Sequence, residues 1–80
     1  MIITIKYFGV IAEITNKKEE QLHLKEGSLS VASLKSIMET DYTELQNTSY
    51  TIALNQSLAT LETTIKDQDV IAFLPPFAGG

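Results

Sequence analysis

Cysteine is absent from these 80 residues. That removes a disulfide framework, a cysteine nucleophile and thiolate metal ligation together. Histidine is nearly absent: His23 stands alone, so a multi-histidine metal site is unavailable. Basic residues are few, six against ten acidic, for a net charge of −4; such a balance disfavours nucleic acid, whose phosphates demand a basic surface. It is compatible with a basic protein partner. No apolar run approaches the roughly 18–20 residues of a membrane span. The N-terminus enters alternating residues directly, without a basic stretch followed by an apolar block, so no secretory signal is read and the expected compartment is the cytoplasm.

What is present is enough for one small domain, with 44% hydrophobic residues arguing against disorder. Ile2 to Tyr7 alternates as a strand, Ile3, Ile5 and Tyr7 on one face and Thr4 and Lys6 on the other. Phe8 falls on the polar face, which leaves it either beneath the next element or on a partner surface. Gly9 breaks the strand, and Val10, Ile11 and Ile14 have the spacing of a short helix. Asn16 to Lys18 reads as a polar turn, with Lys17-Lys18 and Glu19-Glu20 as a solvated mixed-charge stretch. Glu20 to Lys25 alternates again, Leu22 and Leu24 inward and His23 outward.

Ser30 is placed as the N-cap of a helix with apolar positions Val31, Leu34, Ile37 and Met38, continued loosely through Tyr42 and Leu45. Tyr50 to Leu54 reads as a strand, Asn55-Gln56 as a turn and Ser57 to Leu61 as a short strand. Thr63 to Asp69 reads as a connector, its two aspartates as turn formers. Val70 to Leu74 is a final apolar strand, ended by Pro75-Pro76 because proline supplies no ladder donor. The order predicts an α+β fold: a mixed sheet of four to five strands packed on one main helix. Residues 1–76 form the domain and 77–80 a flexible tail. The two apolar end strands suit central parallel neighbours, as in a β-grasp.

The ending Phe73-Leu74-Pro75-Pro76-Phe77-Ala78-Gly79-Gly80 carries the chemistry. Two prolines favour a stiff, extended exit. Phe77 supplies one bulky anchor, and after Ala78 the glycines are thin enough to thread a narrow channel. A carboxylate on Gly80 is a poor electrophile, so a carrier role requires activation, for example by adenylation, before a nucleophile displaces AMP.

Asn55-Gln56-Ser57-Leu58 and the run from Asp67 to Gly80, with Tyr7 to Ile14 and Val31 to Leu34, resemble the molybdopterin synthase small-subunit (MoaD/ThiS) family of sulfur carriers. The resemblance spans nearly the whole chain, and Pro-Pro-x-x-Gly-Gly is its most specific part. It implies a ubiquitin-like β-grasp. It also implies a chain that is not catalytic alone, holding no bound cofactor or metal. A MoeB-like adenylating enzyme would convert Gly80 to an acyl-adenylate and then a thiocarboxylate. Gly79, Ala78 and Phe77 would enter a MoaE-like large subunit within a heterotetramer, where sulfur passes to cyclic pyranopterin monophosphate. Phe8, Leu58, Leu74, Pro75 and Pro76 would contact that partner, the first three forming an apolar patch with Phe77. Alternatives sharing the fold and the glycines are carriers for thiamine, cysteine or tRNA thiolation, and ubiquitin-like protein modifiers. One departure stands out: Gln68 occupies a glycine position of the family's Asp-Gly-Asp turn, and costs on the order of 1 kcal/mol if φ there is positive.

Overall fold

The computed structural model describes residues 1–76. The sequence-based expectations for Phe77, Ala78, Gly79 and Gly80 lie outside the described residues. Seven strands, two α-helices and one 3-10 turn occupy the rest. β1 (Ile2–Tyr7), α1 (Val10–Thr15), β2 (Glu19–His23), β3 (Ser28–Ser30) and α2 (Val31–Asp41) come first. The 3-10 turn Thr43–Asn47 follows, then β4 (Thr51–Leu54), β5 (Ser57–Leu58), β6 (Thr64–Lys66) and β7 (Val70–Leu74).

Five strands form one mixed sheet in the order β2-β1-β7-β4-β5. β1 and β7 are parallel neighbours, Ile5 opposite Ile71 and Tyr7 opposite Phe73. The other pairings are antiparallel. Both apolar end strands are therefore flanked on both sides, which is why they carry the highest share of branched and aromatic residues.

One face of the sheet is covered. The Ser30 side chain accepts from the Ser33 N–H at 3.1 Å and starts α2 as an N-cap. Val31, Leu34 and Met38 then recur on one side of the helix and are buried against Ile3, Ile5, Tyr7, Ile71 and Phe73. Leu45 and Ile65 close the core. Phe73 lies at its centre, edge-on to Tyr7 at 5.9 Å and stacked on Tyr50 at 5.1 Å between ring centroids.

Five local expectations change. The connector Thr63 to Asp69 contains β6, which pairs with β3 in a separate two-stranded sheet. Each of these strands has only three residues, too few to show alternation, and β6 is secured by one buried residue, Ile65. The strand read as Ser57 to Leu61 stops at Leu58, because the chain then turns through a Thr60–Thr63 hydrogen-bonded loop. On α1 the buried positions are Ile11 and Thr15, one turn apart, and Val10 is exposed. Ile37 is only half-buried, at the margin of the α2 stripe.

The fifth change concerns Glu20, read as solvated loop. It lies in β2 with the parity of Leu22 and is half-buried. Its carboxylate accepts from the Tyr7 hydroxyl, the Tyr42 hydroxyl at 2.9 Å and the Lys17 ammonium at 3.1 Å. An inward carboxylate on an edge strand is tolerable because all three donors converge on it. Burial pushes the Glu20 pKa up, but those hydrogen bonds outweigh it and hold the group below the usual carboxylate range.

Candidate functional site

Among the described residues, no helix lies on the face of the sheet opposite α2. Strand alternation puts Thr4 and Lys6 of β1, Val70, Ala72 and Leu74 of β7, and Thr51 and Ala53 of β4 on it. The registers align these residues into rows. Lys6 lies opposite Ala72, Ala72 opposite Ala53, and Ala53 opposite Leu58, so one row crosses four strands. The two alanines keep the middle of the row low, and Leu58 stands beside them at 76% exposed. The next row holds Leu74 opposite Thr51, and Phe8 continues the phase of Lys6 one residue beyond β1, at 44% exposed.

Phe8 and Leu58 are thus surface residues, and Phe8 is not buried beneath the element that follows it. Leu74 is half-buried on the same face. Large exposed apolar groups on this face make it a candidate binding surface. Val70, 36% exposed, extends the patch away from the exit of β7. Sequence reasoning missed Val70, Ala53 and Ala72, although their parity along β7 and β4 was there to be read.

Beyond Leu74 the chain leaves the sheet past the turn between β1 and α1. Gly9 there has φ +55°, and a Cβ on it would come within 2.9 Å of the Pro75 ring. Gly9 and half-buried Pro75 are therefore in close contact, and Pro76 is exposed. The turn is stiffened by the Ile11 N–H to the Phe8 carbonyl at 3.1 Å and the Ala12 N–H to the Gly9 carbonyl at 3.1 Å. Phe8, Gly9, Leu74, Pro75 and Pro76 accordingly meet at one end of β1 and β7.

The remaining polar candidates do not join them. Asp67 accepts from the Ile2 N–H at 2.7 Å, and that bond leads the effects that lower its pKa. Asp69 accepts from the Lys66 N–H at 2.8 Å and from the Asn55 side chain at 3.0 Å. Both aspartates therefore perform turn chemistry at the far end of β7. Gln68 between them has φ +71°, the left-handed conformation at which its replacement of glycine carries a cost. His23 is exposed on edge strand β2. Among the described residues no cluster of three or more His, Asp or Glu is placed to hold a metal ion, and no helix is long and apolar enough to cross a membrane. The described body thus presents exposed apolar side chains on the face opposite α2 and a close Gly9–Pro75 contact just beyond β7.

Comparison with known proteins agrees in scope. The model of the ThiS family matches residues 5–80. The molybdopterin synthase sulfur carrier subunit of Mycobacterium tuberculosis is 30% identical, over 98% of this chain and 96% of its own length. Among solved structures, a Pyrococcus furiosus chain superposes with a TM-score of 0.86 at 22% identity, covering 95% of this chain and 98% of its own; at that identity it shows the fold, a β-grasp. A complex of subunits 1 and 2 of the molybdopterin-converting factor from Helicobacter pylori contains a chain 29% identical. The TM-score is 0.70, and all of both chains is covered.

Proposed function

The chain belongs to the ThiS family, and from that premise we propose that it is the sulfur-carrier subunit of a molybdopterin synthase. The observation that carries this reading is the full-length relationship to a sulfur carrier subunit, joined to an apolar, helix-free face that adjoins the exit of β7. In this reading the Gly80 carboxylate attacks the α-phosphorus of ATP and pyrophosphate leaves. A sulfur nucleophile then displaces AMP from the acyl-adenylate and leaves a thiocarboxylate. Inside the large subunit its sulfur bonds to a carbon of cyclic pyranopterin monophosphate as that carbon loses an oxygen leaving group. Water then hydrolyses the resulting thioester, leaving the sulfur on the pterin and returning the Gly80 carboxylate for another round.

The body of the domain contributes binding and aim. Phe8, Leu58 and Leu74 dock on the large subunit, and Phe77, Ala78 and Gly79 enter the partner's channel. The activating enzyme uses the same Gly80 in a separate encounter. The assembly is a heteromer, as in the two-subunit Helicobacter pylori complex.

The test is intact mass before and after incubation with a MoeB-like enzyme, ATP and a sulfur donor. The expected result is one oxygen-to-sulfur exchange at Gly80, and none in a chain lacking Gly80 that remains folded. Molybdopterin formation supported by the truncated chain would overturn the mechanism.

A further inference from the structure

A groove of about 440 Å³ opens at the turn between β1 and α1, lined by Lys6, Tyr7, Phe8, Gly9, Ala12 and Lys18 with Glu19. We propose that this groove is a second docking element for the large subunit, and that it takes an apolar side chain flanked by a carboxylate. The inference rests on the functional reading above and adds to the sheet-face patch a charged, directional contact.

Three observations support it. First, the groove is continuous with the patch: Phe8 belongs to both, and the Gly9 wall touches Pro75 at the chain's exit. A subunit that receives the tail and covers Phe8 passes over the groove. Second, its apolar lining is exposed at Phe8 and is flanked by Val10, 45% exposed one residue beyond Gly9. No other element of the described chain covers either side chain.

Third, the charge at the groove is opposite to that of the molecule. The chain carries −4, yet two lysines line this groove against one glutamate. Lys6 lies opposite Glu19 across the β1–β2 ladder, but neither Lys6 nor Lys18 forms an ion pair among the described residues. The two ion pairs found there are Lys17 with Glu20 and Lys35 with Glu39. Lys17 is thus committed to the Tyr7–Tyr42–Glu20 cluster, whereas Lys6 and Lys18 are exposed and available to a partner's carboxylate. Opposed charges at the rim of an interface chiefly raise the association rate and fix orientation.

The experiment measures association and dissociation rates of the full chain with the large subunit at low and high salt. It compares the natural chain, Lys6→Glu/Lys18→Glu and Lys6→Gln/Lys18→Gln. Both pairs lie on the surface, and unchanged thermal unfolding verifies that they fold. The expected result is an association rate lowered about tenfold at low salt by the charge reversal and less by the glutamines. That difference should shrink at high salt as screening removes the attraction. Rates and salt dependence indifferent to both substitutions would overturn the groove's role while leaving the functional reading intact. A natural chain that fails to bind the large subunit would overturn both.

Discussion

Glu20 illustrates how much one side chain settles at the scale of a residue. The Tyr7 hydroxyl lies in a side chain that is almost wholly buried, and Glu20 is its acceptor. Glu20→Ala should therefore strand a buried hydroxyl and lower unfolding free energy by about 1–3 kcal/mol, read as a shift in urea midpoint. Glu20→Gln, which keeps an acceptor, should lose less. The same cluster sets the pH response. Because Glu20 is held below its ordinary range when folded, its contribution is complete above about pH 4.3 and is lost as pH falls through the lower folded value. Tyr7 and Tyr50 act oppositely: burial, then their bonds to Glu20 and Glu39, raise both pKa values. Their contribution is complete below about pH 10 and is lost as pH rises beyond it. Urea midpoints measured across pH should fall at both ends, and Tyr7→Phe should weaken the alkaline fall.

At the scale of an element, the turn between β6 and β7 carries a strained residue in a productive position. Its Gln68 N–H bonds the Ile2 carbonyl at 2.7 Å, and the Thr4 N–H bonds the Asp69 carbonyl at 3.0 Å. The turn thus fastens β7 to the start of β1. Gln68→Gly relieves the cost of φ +71° but adds freedom to the unfolded chain, so the net gain should be about 0.5 kcal/mol. In a domain of this size that raises the melting temperature by roughly 2–4 °C. A lower melting temperature would mean that the Gln68 side chain contributes more than its backbone costs. The β4–β5 hairpin solves the same problem differently. Asn55 and Gln56 both have positive φ, as a two-residue type I′ turn requires, and Asn55 further ties the hairpin to Val70 at 2.9 Å.

At the scale of the molecule, the core and the proposed docking surface lie on opposite faces of one sheet. Ile3, Ile5, Ile71 and Phe73 point to α2, and the residues between them in β1 and β7 point to the uncovered face. Substitutions on that face should separate the two properties. Leu58→Asp, at a 76% exposed position, should leave thermal unfolding within about 0.5 kcal/mol of the natural chain. It should weaken large-subunit binding at least tenfold by placing a carboxylate in an apolar contact. Calorimetric titration together with a melting curve tests both halves, and unchanged affinity would remove Leu58 from the interface.

The amino-acid sequence by itself determined the main elements where local periodicity and the core agree. The alternation of Ile3, Ile5 and Tyr7, the Ser30 cap and the Val31–Leu34–Met38 stripe each follow from side-chain spacing and one local hydrogen bond. The proline pair likewise stops β7 for a local reason. Tertiary structure decided the features that depend on register between distant segments. Nothing local tells Ser28–Ser30 that it pairs with Thr64–Lys66, or Glu20 that two tyrosines 13 and 22 residues away will donate to it. The row from Lys6 through Ala72 and Ala53 to Leu58 is likewise invisible along the chain. It exists only because β1 and β7 are parallel while β4 and β5 return antiparallel. Long-range pairing sets exposed Lys6 and Leu58 at the two ends of a row whose middle is half-buried Ala72 and buried Ala53.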